Sequence, residues 1–262
     1  MRFLFVLAIV FLISFESEAQ FWFGPKIGGQ MTSHSYQSKG YKNRYEVDVD
    51  MNWHAGFALQ YTTEQRFAVH TELVYRKVKN RVRNKLDTAI LDHSSTYNFL
   101  ASAMHGRMTF GNGVVRFFAL AGPRLSYWLG GSGSYISQEG DDNFGVPGGS
   151  YTIKFGESSP NDGSEILAVP RPNRIQYGLD IGFGAILDLA SGQRLSVEAR
   201  YSVGHSNMGF NDDLQLLEGI TYEPDIQYTH DMIVFSVSYL FGYNPNDRRK
   251  GSSTNKLSNK IK

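Results

Sequence analysis

Apolar and polar residues alternate with a period of two along much of this chain. The alternation is regular in five segments: 53–61, 67–76, 174–189, 194–204 and 231–241. It is weaker in three more: 21–32, 97–110 and 114–129. Because successive side chains of a β-strand point to opposite faces, each segment predicts a strand whose two faces meet different surroundings. The chain is therefore predicted to be all-β, with eight strands.

The two faces of these segments differ in a way that indicates what surrounds them. The apolar faces are large and often end in aromatic residues, whereas the polar faces mix charged residues with glycines, as at Gly178, Asp180 and Gly182. A soluble small barrel has an apolar interior, but a membrane barrel has lipid outside and a polar interior. The pattern therefore predicts a transmembrane β-barrel.

Charged residues on the polar faces would then share a narrow lumen. An eight-stranded barrel is just wide enough for side chains to fill it. Unpaired charges there would be costly, so charges of both signs are expected to pair across the lumen. The residues predicted to form this network are Glu72, Arg76, Arg116, Arg124, Glu198 and Arg200. This favours a plugged interior over a pore or a proton path.

The connections between the predicted strands alternate between tight and long. The tight connections are 62–65, 111–113 and 190–193. The long connections are 33–50, 81–96, 130–173 and 205–229. Short periplasmic turns and long outer loops are typical of outer-membrane barrels. The sequence therefore predicts an antiparallel up-and-down meander in the outer membrane, with both termini in the periplasm.

The two ends of the chain lack the strand pattern. A positive residue, an apolar run over 3–15 and small residues just before Gln20 predict a signal peptide over 1–19. The barrel is then expected over 20–243, and the polar, basic segment 244–262 is expected to be a disordered periplasmic tail. The chain has no cysteine, which excludes thiol catalysis and disulfides, and its net charge of +1 gives no indication of nucleic-acid binding.

Four basic residues continue the third predicted strand beyond its apolar part. By alternation, Lys77, Lys79, Arg81 and Arg83 lie on the lipid-facing side, at the outer rim. Lipopolysaccharide phosphates lie at that height, so this ladder is expected to pair with them. The alternative is an extended hairpin with a solvated face. The predicted partners are thus membrane lipid, lipopolysaccharide and other outer-membrane or secretion proteins.

A lipid A-modifying enzyme is a further alternative, because His205 and Ser206 follow a predicted strand and could act as base and nucleophile. Adjacent strand residues point to opposite faces, however, so the two side chains are not expected to meet. No zinc, phosphate-loop or nucleotide motif is present. The sequence therefore predicts a non-enzymatic protein with no cofactor or metal site.

Three segments resemble a known family. Segment 117–127 (FFALAGPRLSY) resembles the aromatic-x-x-x-x-Gly-Pro strand of the outer-membrane barrel family named after PorT, which is abundant in Bacteroidetes. Segment 180–185 (DIGFGA) resembles the Asp-x-Gly-x-Gly strand of that family, and 198–204 (EARYSVG) resembles its next strand. The resemblance implies a small OmpA- or OmpX-like barrel without catalytic residues, associated with type IX secretion and gliding.

The predicted function is therefore a structural or docking component of the outer membrane, with type IX protein secretion as the pathway that the resemblance implies. The alternative is a passive surface barrel whose outer loops bind ligands or neighbouring proteins.

Overall fold

The computed structural model of the chain describes residues 20–62, 66–84, 90–137, 148–157, 165–190, 192–209 and 226–243. The predicted signal peptide over 1–19 and the predicted tail over 244–262 lie outside the described residues. Among the helices of the described part, none is long and apolar enough to cross a membrane.

The described chain consists of eleven strands and one short helix. In chain order these are β1 (Gln20–Tyr36), α1 (Lys39–Arg44), β2 (Tyr45–Asp48), β3 (Asp50–Thr62), β4 (Phe67–Asn84), β5 (Ile90–Phe110), β6 (Val115–Ser137), β7 (Gly148–Phe155), β8 (Ile166–Val169), β9 (Ile175–Asp188), β10 (Gln193–Gly204) and β11 (Tyr228–Tyr243).

Eight of these strands close into a ring. In chain order they are β1, β3, β4, β5, β6, β9, β10 and β11, and each is antiparallel to the next. The ring closes where β1 pairs with β11, so that Ile27 lies opposite Ala55 on one side and Val237 on the other. Closure leaves no free sheet edge in the ring. The predicted eight-stranded up-and-down barrel is confirmed.

The two ends of the barrel are built differently. Connections of only four residues join β3 to β4, β5 to β6 and β9 to β10 at one end, where Gln20 and Tyr243 also lie; we call it the turn end. The opposite end, the loop end, carries the three additional strands. Here β2 pairs with the last residues of β4, while β7 pairs with the last residues of β6 and β8 runs parallel to β7.

Three of the predicted long loops are therefore wrong in extent, because they contain strand. The predicted loop 81–96 falls mostly on β4 and β5, and the predicted loop 130–173 contains the end of β6 as well as β7 and β8. At Gly130, which has a φ of +145°, the register against β5 shifts, and the inward parity of β6 changes. This bulge interrupts the alternation without ending the strand. The predicted loop 33–50 contains α1 and β2.

The outer surface of the ring carries a continuous apolar band. Each ring strand exposes large apolar side chains, for example Ile27, Phe57, Leu73, Met104, Phe117, Ile181, Val197 and Phe235. Aromatic pairs lie at its margins: the Phe23 and Phe241 centroids are 6.1 Å apart near the turn end, and those of Trp53 and Tyr75 are 5.9 Å apart toward the loop end. About ten residues per tilted strand match the ~25 Å apolar height of an outer-membrane barrel.

The inside of the barrel is filled in three layers. Near the turn end, the Arg194 guanidinium lies 3.6 Å from the centroid of the Trp22 ring, and Phe118 packs with Leu120 and Ile186. The middle layer is polar and charged. At the loop end the interior becomes apolar again, with Trp128 and Tyr228 fully buried.

Arginine substitutions at two depths of the apolar band test this arrangement. Phe183, which is outward-facing and 69% exposed, lies near the middle of β9, whereas Val115 begins β6 at the turn end. Phe183→Arg is expected to lower the free energy of unfolding in lipid vesicles by about 2–4 kcal/mol, and Val115→Arg by about 0–1 kcal/mol. Denaturant titration of the refolded proteins measures both. Equal losses at the two depths would contradict the assigned band.

Candidate functional site

The middle layer of the lumen is a network of buried ion pairs. Lys26 on β1 donates hydrogen bonds to both Glu72 on β4 and Glu198 on β10. Arg200 Nη1 donates to Glu72 Oε1 at 2.8 Å, and Arg107 Nη2 donates to Glu198 Oε2 at 2.9 Å. These side chains are almost fully excluded from solvent. The network thereby links four strands of the ring across the lumen.

Asp180 forms the second centre of the network, closer to the loop end. Its carboxylate accepts hydrogen bonds from Arg124 Nε at 3.2 Å, from Arg200 Nη1 at 3.3 Å and from the Ser202 hydroxyl. The His105 Nε2 atom lies 3.1 Å from the same carboxylate. Arg200 therefore joins the Asp180 centre to the Glu72 centre.

Two glycines of β9 make room for these large cations. A Cβ atom added at Gly182 would lie 2.5 Å from the Ala199 carbonyl oxygen and 2.7 Å from Cγ of Arg200. One added at Gly178 would lie 2.3 Å from the Val203 carbonyl oxygen and 2.7 Å from Nη2 of Arg124. A side chain at either position would therefore collide with the backbone of β10 as well as with an arginine. The Gly-x-Asp-x-Gly alternation on the polar face of this strand thus places one carboxylate between two spaces that the arginines occupy.

The residues predicted for the lumen network are only partly brought together. Glu72, Glu198 and Arg200 are in contact, and Arg124 joins them through Asp180. The structure places Arg116 elsewhere: it pairs with Asp188 at 2.5 Å near the turn end and is partly exposed, because it is the second residue of β6. Arg76 points into the lumen but has no carboxylate partner among the described residues.

The prediction also omitted three members of the network: Lys26, Arg107 and Asp180. Lys26 and Arg107 belong to the weakly alternating segments 21–32 and 97–110, but their parity on these strands is inward. Extending the two-residue alternation through those two segments would have identified Lys26 and Arg107 as inward-facing.

Three buried residues of the lumen have the ligand chemistry of a metal site. Single ligand atoms of His70, Glu72 and His105 lie within 4.8 Å of one another. Glu72 is already engaged by Lys26 and Arg200, however, so a divalent cation would have to displace a buried ammonium or guanidinium group. The surrounding charges therefore oppose a cation at this position.

The loop end contains a packed apolar and aromatic cluster, which we call the head cluster. Its buried members are Tyr36, Val78, Tyr97, Phe99, Trp128, Tyr151, Ile153, Leu167, Val169, Met208, Ile226 and Tyr228. Polar groups at its border are hydrogen-bonded: Asn80 Nδ2 donates to Tyr36 Oη at 2.7 Å, and the Tyr151 hydroxyl lies 2.7 Å from His93 Nε2. Burial lowers the pKa of His93 to about 4, so this ring is neutral at neutral pH.

The basic ladder predicted on β4 lies on the outer surface, but its members have different neighbours. Lys77 Nζ lies 5.7 Å from the centroid of the Trp53 ring at the margin of the apolar band. Arg83 pairs with Asp48 of β2, and Asp48 raises the pKa of Arg83 through that hydrogen bond and its charge. Lys79 and Arg81 are half-buried. Arg81 lies between β2 and β5, whereas Lys79 is paired with β5 and lies beyond the end of β2.

His205 and Ser206, which the sequence offers as base and nucleophile of an enzyme, point to opposite sides of the chain. Ser206 is buried, and its Oγ accepts a hydrogen bond from the Tyr177 backbone N–H at 3.0 Å. His205 is exposed, with its ring 6.0 Å from the Tyr177 ring. The His205 ring is therefore not positioned to act as a base for the Ser206 hydroxyl. Three acidic residues that follow this pair in the sequence and could have oriented His205, namely Asp212, Asp213 and Glu218, lie outside the described residues.

Removing one carboxylate from the network tests its contribution to stability. Glu72→Gln leaves Lys26 and Arg200 with less negative charge in a desolvated lumen, so we expect the free energy of unfolding to fall by about 3–5 kcal/mol. Asp188→Asn is the matched control, because Asp188 pairs with Arg116 and Arg194 but is 38% exposed, and its loss should be at most about 1 kcal/mol. Denaturant titration in vesicles compares the two; similar losses would contradict a network held by burial.

Comparison with protein families agrees with this architecture. The family model described as outer membrane protein beta-barrel domain matches residues 16–208. Among solved structures, OprG from Pseudomonas aeruginosa has a TM-score of 0.48 and 10% identity, with 87% of this chain and 97% of OprG covered. A comparison with curated proteins found no match.

Two further solved structures are similar over most of their length. Neisserial surface protein A, from Neisseria, has a TM-score of 0.37 and 10% identity, covering 83% of this chain and 95% of its own. Ail of Yersinia pestis, in complex with the heparin analogue sucrose octasulfate, has a TM-score of 0.36 and 8% identity, covering 84% and 99%. Since the family model spans well over half of the sequence, the chain belongs to the outer membrane β-barrel domain family.

Proposed function

We propose that this protein is a closed, non-enzymatic outer-membrane barrel whose loop end is a docking surface for another outer-membrane or secretion protein. The observation that carries the proposal is the head cluster, in which β7, β8 and the ends of β4, β5 and β6 form a packed extension of the barrel. Ordering a surface segment costs conformational entropy, and this packing offsets that cost before any partner binds. A preordered surface binds with a smaller entropy loss.

The filled lumen supports the closed state of the proposed barrel. Trp22 with Arg194, the charge network and the head cluster occupy successive levels of the interior. Large side chains at each level are less than 2% exposed, among them Arg107, Phe118 and Trp128. Planar-bilayer recordings of the purified protein are expected to show no conductance steps, and stable steps would contradict this part of the proposal.

The proposed orientation places the loop end outside the cell and the turn end in the periplasm, because short turns face the periplasm in outer-membrane barrels. The chain has no cysteine, so single cysteines can report on each end. Ser134→Cys on the exposed face of β6 is expected to react with a membrane-impermeant maleimide on intact cells. Asn112→Cys in the β5–β6 turn is expected to react only after permeabilisation, and the reverse result would invert the orientation.

Photo-crosslinking from the same two positions tests docking. A photoreactive amino acid in place of Ser134 is expected to give a discrete adduct in living cells, whereas one in place of Asn112 serves as the matched control. Mass spectrometry of the adduct identifies the partner. Failure to obtain any adduct from the exposed positions of β6 and β7 would instead favour the passive surface barrel.

Type IX secretion and gliding are the specific pathway we propose for that partner, on the strength of the resemblance to the PorT-named family alone. Deleting the gene is expected to abolish export of type IX cargo and to stop gliding, and both should return with the wild-type gene. Normal export and gliding in the deletion strain would separate the barrel from that pathway.

We also propose that Lys77 and Lys79 contact lipopolysaccharide phosphates, since both lie on the outer face just beyond the apolar band. Each basic residue near an anionic surface contributes about 1 kcal/mol, so the double Lys77→Gln, Lys79→Gln variant should bind lipopolysaccharide roughly 30-fold more weakly. Arg83→Gln is the control, because Asp48 already neutralises Arg83. Co-purifying lipopolysaccharide, measured per barrel, reports the outcome; an unchanged amount in the double variant would refute the contact.

A further inference from the structure

The charges of the central lumen do not balance. Five buried cations face three buried carboxylates among the described residues of this layer, which leaves an excess of two positive charges. The cations are Lys26, Arg76, Arg107, Arg124 and Arg200. The carboxylates are Glu72, Asp180 and Glu198. At least one of these cations therefore has no carboxylate of its own, and the contacts show which one it is.

Arg76 is the cation that the network leaves out. Its side chain is 2% exposed, its Nη1 lies 3.5 Å from the Met232 sulfur, and its Nε has no hydrogen-bond partner. Glu72 is held by Lys26 and Arg200, and Asp180 by Arg124, Arg200 and Ser202, so neither carboxylate is free to turn toward Arg76.

Further buried polar atoms without partners lie on the strands beside Arg76. His54, directly opposite Arg76 on β3, has an unpartnered Nδ1, while its Nε2 lies 2.9 Å from the Ser236 hydroxyl. Thr32, directly opposite Met232 on β11, has an unpartnered hydroxyl. Buried polar atoms of three strands are thus without hydrogen-bond partners in one neighbourhood, between the charge network and the head cluster.

A guanidinium group keeps its proton in proteins, so Arg76 cannot become neutral. Buried water can satisfy its N–H donors, but water does not compensate the charge. Of the charged groups around Arg76, Arg124 and Arg200 are positive, whereas Asp180 and Glu72 are negative and already paired with other cations. A negative ion beside Arg76 would compensate one of the two excess positive charges and would accept a hydrogen bond from the unpartnered Arg76 Nε.

We propose that Arg76 binds a small monovalent inorganic anion, of the size of chloride, in the lumen, with the Thr32 hydroxyl as a further donor. Arg76 is buried between Val78 of the head cluster and Glu72 of the charge network on the same strand, so a small ion suits this position better than an organic acid. The excess positive charge excludes a divalent cation in the same layer. The site is independent of the docking function.

Refolding at controlled anion composition tests the site. The wild-type protein and the Arg76→Met variant are unfolded and refolded in detergent at constant ionic strength, with gluconate replaced stepwise by chloride. The midpoint of thermal unfolding is followed by tryptophan fluorescence. At a chloride concentration about five times Kd, the wild-type midpoint should rise by roughly 3 °C. The midpoint of Arg76→Met should not depend on chloride.

Arg116→Met is the matched control, because it removes an arginine paired near the turn end, outside the proposed site. Its chloride dependence should equal that of the wild type. No chloride dependence in the wild type, or the same dependence in Arg76→Met, would overturn the proposal. If Arg76→Met does not refold, the position of bromide in crystals of the wild type decides: anomalous density in contact with Arg76 Nε supports the site, and its absence there overturns it.

Discussion

A peptide group in hydrocarbon has no water to bond with, and this constraint determines most of the structure. Each backbone N–H and C=O at membrane depth must pair with a neighbouring strand, so the sheet has to close, and it does so where β1 meets β11. With eight strands, closure leaves an interior only wide enough for side chains. Residues that face inward are therefore desolvated although they are polar, and their charges must be compensated within the barrel.

The ion-pair network is the consequence of this desolvation, and it also fixes the strand register. A slip of one residue in β10 would turn Glu198 and Arg200 toward lipid and Val197 toward the lumen, because the side-chain period is two. Burying ion pairs costs desolvation energy that apolar packing would avoid, so the network is weak evidence for net stability. Its contribution to a unique register is the stronger argument for its presence.

The strands could be predicted from the sequence where their two faces meet two solvents, and not elsewhere. Along the apolar band every strand alternates, so the eight ring strands were predicted correctly. Beyond the band both faces of β5 become polar at 92–95, and the alternation disappears although the strand continues. The members of the network were harder to predict, since strand tilt decides which inward residues share a level. Arg116 and Glu198 have the same inward orientation, yet Arg116 lies near the turn end with Asp188.

Toward the loop end, the interior beside β4 changes its polarity at the height where the outer face of this strand does. Along β4, Leu73 faces outward while Glu72 faces the lumen; a few residues later, Lys77 faces outward while Val78 lies in the head cluster. On this strand the charged part of the core lies behind the apolar band, and the apolar head cluster lies behind the basic part of the outer face. The head cluster is thus stabilised by the burial that stabilises soluble proteins, and it does not depend on the bilayer for its order. A membrane anchor alone would need only the apolar band, so the strands that continue into this cluster are best explained by the surface that they hold in place.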